Sequence, residues 1–374
     1  MSDAKPPPRP AAYDKKVALV LQGGGALGSY QAGVYEALST SEYLPDWIAG
    51  ISIGAINAAL IAGNAAENRV ERLREFWEGV TTPTPWPVGS GTVAAAHRRT
   101  SSLSALMFGQ PGFFSPRLPA GWLFGANPTS YYDTRALRAT LERLVDFDRI
   151  NAGEVRLSVG AVNVRTGDLA YFDNTRMRIG AEHVMASAAL PPGFPPVEID
   201  GECYWDGGLV SNTPLQYVLE SIPRRSRLTF QVDLFHACGA RPADLDEVGE
   251  RAKDIRYASK TRAITDLFRM IHDVRQNYNN LWDRLPEDLH NTPEAKFLYE
   301  FGCVTTMDVV EVIYRPRDPQ GEAKDYEFSR PTMRARWAQG LFDARATLIA
   351  SPWLAPMPRE VGARTFDVVG TGDR

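Results

Sequence analysis

Twice within the first 66 residues, a short apolar run stops at glycines and gives way to helically spaced apolar residues. A chain written this way is committed to parallel strands joined by crossover helices. Residues 17–22 (VALVLQ) run into Gly23-Gly24-Gly25-Ala26-Leu27-Gly28, and residues 30–38 then carry helical spacing. Residues 47–51 read as a second buried strand and 53–62 as a second helix. The uncharged stretch 47–66 is a poor membrane span, because Gly50, Ser52, Gly54, Asn57, Gly63 and Asn64 interrupt it. The expected architecture is α/β.

The pattern then continues with an amphipathic helix over 67–80, with Val70, Leu73, Phe76 and Trp77 on one stripe. Residues 81–132 differ: seven prolines, six glycines and aromatics including Trp86, Trp122 and Phe124, with Arg98, Arg99 and Arg117 as the only charges. This insertion reads either as a lid that touches lipid or as a packed loop over the core. Asp133 is expected to cap a helix over 134–144, followed by strands at 156–164 and 169–172 joined by the turn 165–168. A hairpin around Asp200-Gly201 spans 197–205, and 228–234 is another buried strand. Beyond residue 239 the pattern is mostly helical, with an apolar stripe from Ile264 to Trp282, a late strand at 308–314 and a last helix at 331–349. The resulting division is a flexible tail (1–15), a main α/β domain (16–238) and a mostly helical C-terminal extension (239–374).

Lys and Arg total 41 against 45 Asp and Glu, a net charge of −4, which offers no electrostatic reason to bind nucleic acid. Cys203, Cys238 and Cys303 are odd in number and widely spaced, without a CxxC pair. That fits a reducing, cytoplasmic setting and supplies no zinc site. The polar, proline-rich N-terminus has no apolar stretch of the kind a secretory signal needs.

Three glycine-bearing motifs carry the chemistry. Gly50-Ile51-Ser52-Ile53-Gly54 is a GxSxG where a strand meets a helix, the context of a nucleophile elbow, although a serine there can also simply cap the helix. The loop Gly23–Gly28 fits a dinucleotide cradle or an oxyanion hole built from converging amides. The dinucleotide reading wants an acid at the end of the second strand, where Ser52 stands instead. Asp206-Gly207-Gly208 closes a strand and reads as a β-turn or as a carboxylate base beside the serine. His236 follows Asp206 in the Ser–Asp–His order of α/β-hydrolases, and His183 lies nearby; either also reads as a polar residue beside the core. His97, His272 and His290 show no metal-ligand spacing.

Together the three motifs, with SAALPPGFPPVEIDGECYWDGGLVSNTP leading through Asp206, resemble the patatin-like phospholipase family in kind, order and approximate spacing, over about residues 16–235. The resemblance implies a three-layer α/β/α sandwich and hydrolysis of lipid acyl esters. It also implies a dyad of Ser52 and Asp206 and an oxyanion hole from Gly23, Gly24, Gly25 and Gly28, with no metal or organic cofactor. Gln22 departs from the acidic residue that many members carry before the glycines. Transient contact with a membrane surface is expected; oligomeric state, headgroup and acyl specificity are left open. Two rival readings are a catalytically silent binding module of the same fold and a dinucleotide-binding oxidoreductase.

Overall fold

A computed structural model describes residues 5–84, 91–117, 129–302, 305–316, 318–358 and 360–372. At its centre is a nine-stranded sheet. The strands are β1 (Lys16–Leu21), β2 (Trp47–Ile51), β3 (Arg156–Asn163), β4 (Leu169–Asp173), β5 (Val197–Ile199), β6 (Glu202–Asp206), β7 (Arg227–Asp233), β8 (Met307–Ile313) and β9 (Ala363–Asp367). Their order is β9-β8-β7-β1-β2-β3-β6-β5, with β4 also paired to β3. All neighbours from β9 to β3 are parallel, whereas β4, β5 and β6 join antiparallel.

The helices that concern the site are α1 (Ser29–Ser39), α2 (Ile53–Ala62), α3 (Arg69–Gly79), α4 (Thr92–Phe108), α5 (Arg135–Leu144), α6 (Ala181–Ser187), α7 (Leu245–Trp282) and α8 (Arg330–Ala350). Leu19 and Leu21 face a core shared with α1, α2, α3 and α8, while Ala18 and Val20 face Leu215, Val218 and Phe268 of α7 on the opposite side. Burial on both faces is why β1 reads as an unbroken apolar run. The chain is a three-layer α/β/α sandwich.

Residues after 238, expected as an extension, continue the same sheet. β8 pairs with β7 from Met307↔Arg227 to Ile313↔Asp233, and β9 adds the outer edge. α8 lies on α1 with backbones in contact: a Cβ on Gly340 would fall 2.1 Å from the Tyr30 carbonyl oxygen, and one on Gly33 would fall 1.9 Å from that of Trp337. The N-terminal segment is likewise tied down rather than free over its last residues. Lys15 Nζ contacts Asp308 Oδ2 at 2.7 Å and the Tyr13 hydroxyl donates to the same oxygen at 2.9 Å, beside Arg364 on Oδ1.

Within the insertion, Trp86, Trp122 and Phe124 lie outside the described residues, as does Cys303. Its middle is the helix α4, unforeseen because the prolines and glycines on either side masked a proline- and glycine-free run rich in good helix formers. Asp133 acts one residue before the cap position, accepting the Arg135 amide at 2.8 Å. Among the described residues no helix is long and apolar enough to cross a membrane. The α1–α8 contact makes a direct prediction: Gly340→Val, by forcing the helices apart, lowers stability by about 3 kcal/mol or more. Thermal or urea unfolding measures this, and an unchanged midpoint would contradict the packing described.

Candidate active site

The register of β3 brings two distant residues together. On one edge β3 pairs with β4 over residues 158–162, so β2, which pairs over 156–160, must occupy the other edge. β6 pairs with 161–163, overlapping β4, and therefore lies on the β2 edge, beyond the end of β2. Gly160 thus stands opposite Ile51, and Ala161 opposite Asp206. Ser52 and Asp206 meet end to end, and the Ser52 side chain lies near enough to the Asp206 carboxylate to favour its ionised form.

Ser52 sits at the β2–α2 joint with φ 57° and ψ −125°, a left-handed conformation that costs a non-glycine residue about 1–3 kcal/mol. Neighbouring groups enforce it. The Ser52 amide donates to Ser187 Oγ at 3.0 Å, and that hydroxyl donates to the Gly160 carbonyl at 2.6 Å. The elbow closes tightly because Gly50 and Gly54 lack side chains: a Cβ on Gly50 would fall 2.3 Å from Gly54 O, and one on Gly54 2.3 Å from Leu21 O.

Asp206 is 2% exposed. Burial pushes its pKa up to about 6, partly offset by the nearby Ser52 hydroxyl and by the Gly208 amide, which donates to Oδ1 at 2.7 Å. Gly207 packs under the strand, where a Cβ would fall 2.6 Å from Gly160 O.

The four loop glycines have different surroundings. Gly24 and Gly25 line the pocket beside Ser52, and neither amide has an acceptor among the described residues. Gly25 takes φ +52°, and a Cβ there would meet the Asp325 carbonyl oxygen at 2.3 Å. Gly23 also lines the pocket, but its amide donates to Asn212 O at 3.1 Å, so it has no proton left for a ligand. Gly28 lies outside the pocket lining, packed where a Cβ would fall 2.5 Å from Ile53 Cγ1, and its carbonyl accepts from Asn57 Nδ2 at 2.9 Å. Of the four glycines expected at the oxyanion hole, Gly24 and Gly25 therefore have amides without an acceptor among the described residues, whereas Gly23 spends its amide on Asn212 and Gly28 packs outside the cleft lining.

Gln22 anchors the loop. Its Nε2 donates to Thr213 Oγ1 at 3.0 Å, and its Oε1 accepts the amides of Leu234 at 2.6 Å and Phe235 at 3.2 Å. Asn212 completes the anchorage, returning a hydrogen bond from Nδ2 to Gly23 O at 2.9 Å. Sequence reading missed Asn212 and Ser187. The one available signal was that a turn asparagine so close after Asp206 commonly bonds backbone.

Around these groups lies a cleft of about 180 Å³. Leu106 of α4, Phe113, Phe114, Phe194, Tyr257 and Phe328 are among the residues that line it. The aromatic rings pack on one another, Phe114 edge to face with Phe113 at 5.4 Å and tilted against Phe194 at 5.2 Å. Among the described residues no histidine lines the cleft. His183 Nδ1 accepts the Gly180 amide at the start of α6, and His236 Nε2 accepts from Arg315 Nε at 3.0 Å. Both histidines take the structural reading.

Comparison with known families places this geometry. The family model described as patatin-like phospholipase matches residues 19–219, and a second, described as patatin phospholipase, matches 255–360. No match was found among curated proteins. Solved structures similar to this chain include VipD from Legionella pneumophila, at 16% identity over 93% of this chain and 70% of that one, with a TM-score of 0.38. The type III effector ExoU matches at 14% identity over 92% of this chain and 53% of its own, with a TM-score of 0.32. Human GIVD cytosolic phospholipase A2 matches at 15% over 58% and 43%, with a TM-score of 0.31. The chain spans about half the length of the last two. With a family model covering more than half of its residues, the chain belongs to the patatin-like phospholipase family, a family of lipid acyl hydrolases.

Proposed function

We propose that this protein hydrolyses carboxylic esters of lipids through a dyad of Ser52 and Asp206. The observation that carries the reading is the juxtaposition of Ser52 with the buried Asp206, set in an apolar cleft beside two amides that have no acceptor among the described residues. Ser52 Oγ attacks the ester carbonyl carbon while its proton passes to the Asp206 carboxylate, and the carbonyl π electrons move to oxygen. The amides of Gly24 and Gly25 receive that oxyanion. Collapse breaks the ester C–O bond, the alcohol leaves with the proton from Asp206, and an acyl-Ser52 remains. Asp206 then takes a proton from water as it attacks; collapse returns that proton to Ser52 and releases the acid. A carboxyl raised to about 6 is ionised at neutral pH and basic enough to serve.

The cleft supports the substrate class. Its walls are largely apolar and aromatic, suited to an acyl chain. α4, whose Ala105 and Leu106 line the cleft, leaves Leu103, Met107 and Phe108 60%, 67% and 74% exposed. That apolar edge beside the mouth fits transient contact with a lipid surface. A silent binding module has no need of a strained serine set against a buried acid.

The direct test is turnover of a panel of phospholipids, lysolipids, acylglycerols and short-chain esters. Ser52→Ala is expected to lose at least about 1000-fold in kcat with its fold intact; retained turnover would overturn the assignment. The pH profile follows from Asp206. Below about pH 6, kcat/KM should fall tenfold per unit as the carboxylate is protonated, and it should level off above. The same shift has a stability consequence. Because the folded pKa is raised from 3.8 to about 6, the fold favours the neutral acid. The cost of ionising it appears as pH rises from about 4 through 6 and reaches about 3 kcal/mol. Asp206→Asn is therefore expected to be inactive, yet more stable than wild type at about pH 8, with the gain vanishing near pH 4 on chemical denaturation. For the lipid surface, Met107→Ser with Phe108→Ser should weaken co-sedimentation with phospholipid vesicles at least about tenfold, leaving turnover of a soluble ester unchanged. Equal vesicle binding would remove α4 from that role.

A further inference from the structure

We propose that Arg336, on α8, is a positioning residue for hydrolysis. It holds the glycine loop, from the C-terminal part of the chain, in the conformation that receives the oxyanion. Arg336 is 1% exposed, and among the described residues its hydrogen bonds go to backbone carbonyls rather than to a carboxylate. Nη1 donates to Ala26 O and Glu327 O, each at 3.2 Å, and Nη2 donates to Lys324 O at 2.9 Å. A guanidinium buried without an opposite charge carries a large desolvation cost that a hydrocarbon of similar size would avoid. What its planar fork supplies instead is geometry, fixing several backbone oxygens at once.

Those oxygens belong to the two segments that matter. Ala26 follows Gly25 directly, and the turn 324–327 lies on Gly25 so closely that a Cβ there would fall 2.3 Å from Asp325 O. The same turn sends Asp325 and Tyr326 to the cleft wall. From its far side the turn is held by α7. Lys324 Nζ reaches Asp254 Oδ1 at 2.6 Å and Glu250 Oε1 at 3.2 Å, Lys253 Nζ reaches Asp325 Oδ1 at 2.6 Å, and the Gly321 amide donates to Glu250 Oε2 at 2.7 Å. The glycine loop is thus pressed against a turn that α7 carboxylates fix on one side and Arg336 on the other. Released from Arg336, Ala26 and the turn lose their common tie, and the Gly24 and Gly25 amides drift from the oxyanion position. Arg336 touches no reacting atom and acts through the loop.

The inference rests on the hydrolase reading above, and one set of kinetics separates the two. Full-length wild type, Arg336→Met and Arg336→Lys are assayed on a soluble p-nitrophenyl ester. A displacement of about 1 Å at a reacting site costs roughly 100-fold, so Arg336→Met should lose up to about 100-fold in kcat. KM should change less than about threefold and the acid limb should stay near pH 6, because ground-state binding and Asp206 are untouched. Arg336→Lys, able to reach one or two of the carbonyls, should recover part of the loss. Wild-type kcat in a folded Arg336→Met protein, or a loss residing in KM, overturns the proposal; should Arg336→Met not fold, Arg336→Lys carries the test with the same two readings. A wild type inactive on every ester would instead overturn the hydrolase reading itself.

Discussion

The meeting of Ser52 and Asp206 depends on one strand receiving two others along a single edge. β3 pairs first with β2 and then, past its end, with the antiparallel β6, so that Gly160 and Ala161 hold Ile51 and Asp206 in consecutive positions. A one-residue slip would turn every side chain of β6 to the opposite face and take the carboxylate away from the serine. The register is protected by what surrounds it: the Asp206 amide donates to Ala189 O at 3.0 Å, and Ser187 ties the Gly160 carbonyl to the Ser52 amide.

Two local costs accumulate at this junction. Ser52 adopts a left-handed backbone, and Asp206 sits in a place that disfavours its charge. Each is about 1–3 kcal/mol, affordable only where a large, fully buried framework over-determines the geometry. The sheet, buried on both faces, is that framework, and the C-terminal strands and α8 are part of it rather than an appendage. On the proposed reading both costs have a use: the strained elbow presents Oγ, and the desolvated carboxylate is a better base than one in water.

What could be read from the sequence was local. The glycine loop, the elbow and the Asp206 turn are backbone signals within a few residues, and the tandem strand–helix order announces a parallel sheet. β8 was legible as a strand, but its place beside β7 was not, because nothing in an apolar run says which strand it will join. The same limit hid Asn212, Ser187 and Arg336, whose partners lie 189, 135 and 310 residues away. Gly23 and Gly28 were legible as glycines but not by use: one pairs with Asn212 and the other lets α1 approach Ile53. α4 was obscured by the prolines and glycines that flank it.

The central claim is that Ser52 is a nucleophile made reactive by Asp206 in a preformed oxyanion site. The most direct measurement is the site of covalent capture. The full-length protein is treated with a fluorophosphonate at about neutral pH, digested, and the adduct mapped by mass spectrometry. The account predicts one stoichiometric adduct, on Ser52, whose rate of formation falls on acidification with a midpoint near pH 6. An unlabelled Ser52, or an adduct on another residue, would contradict it.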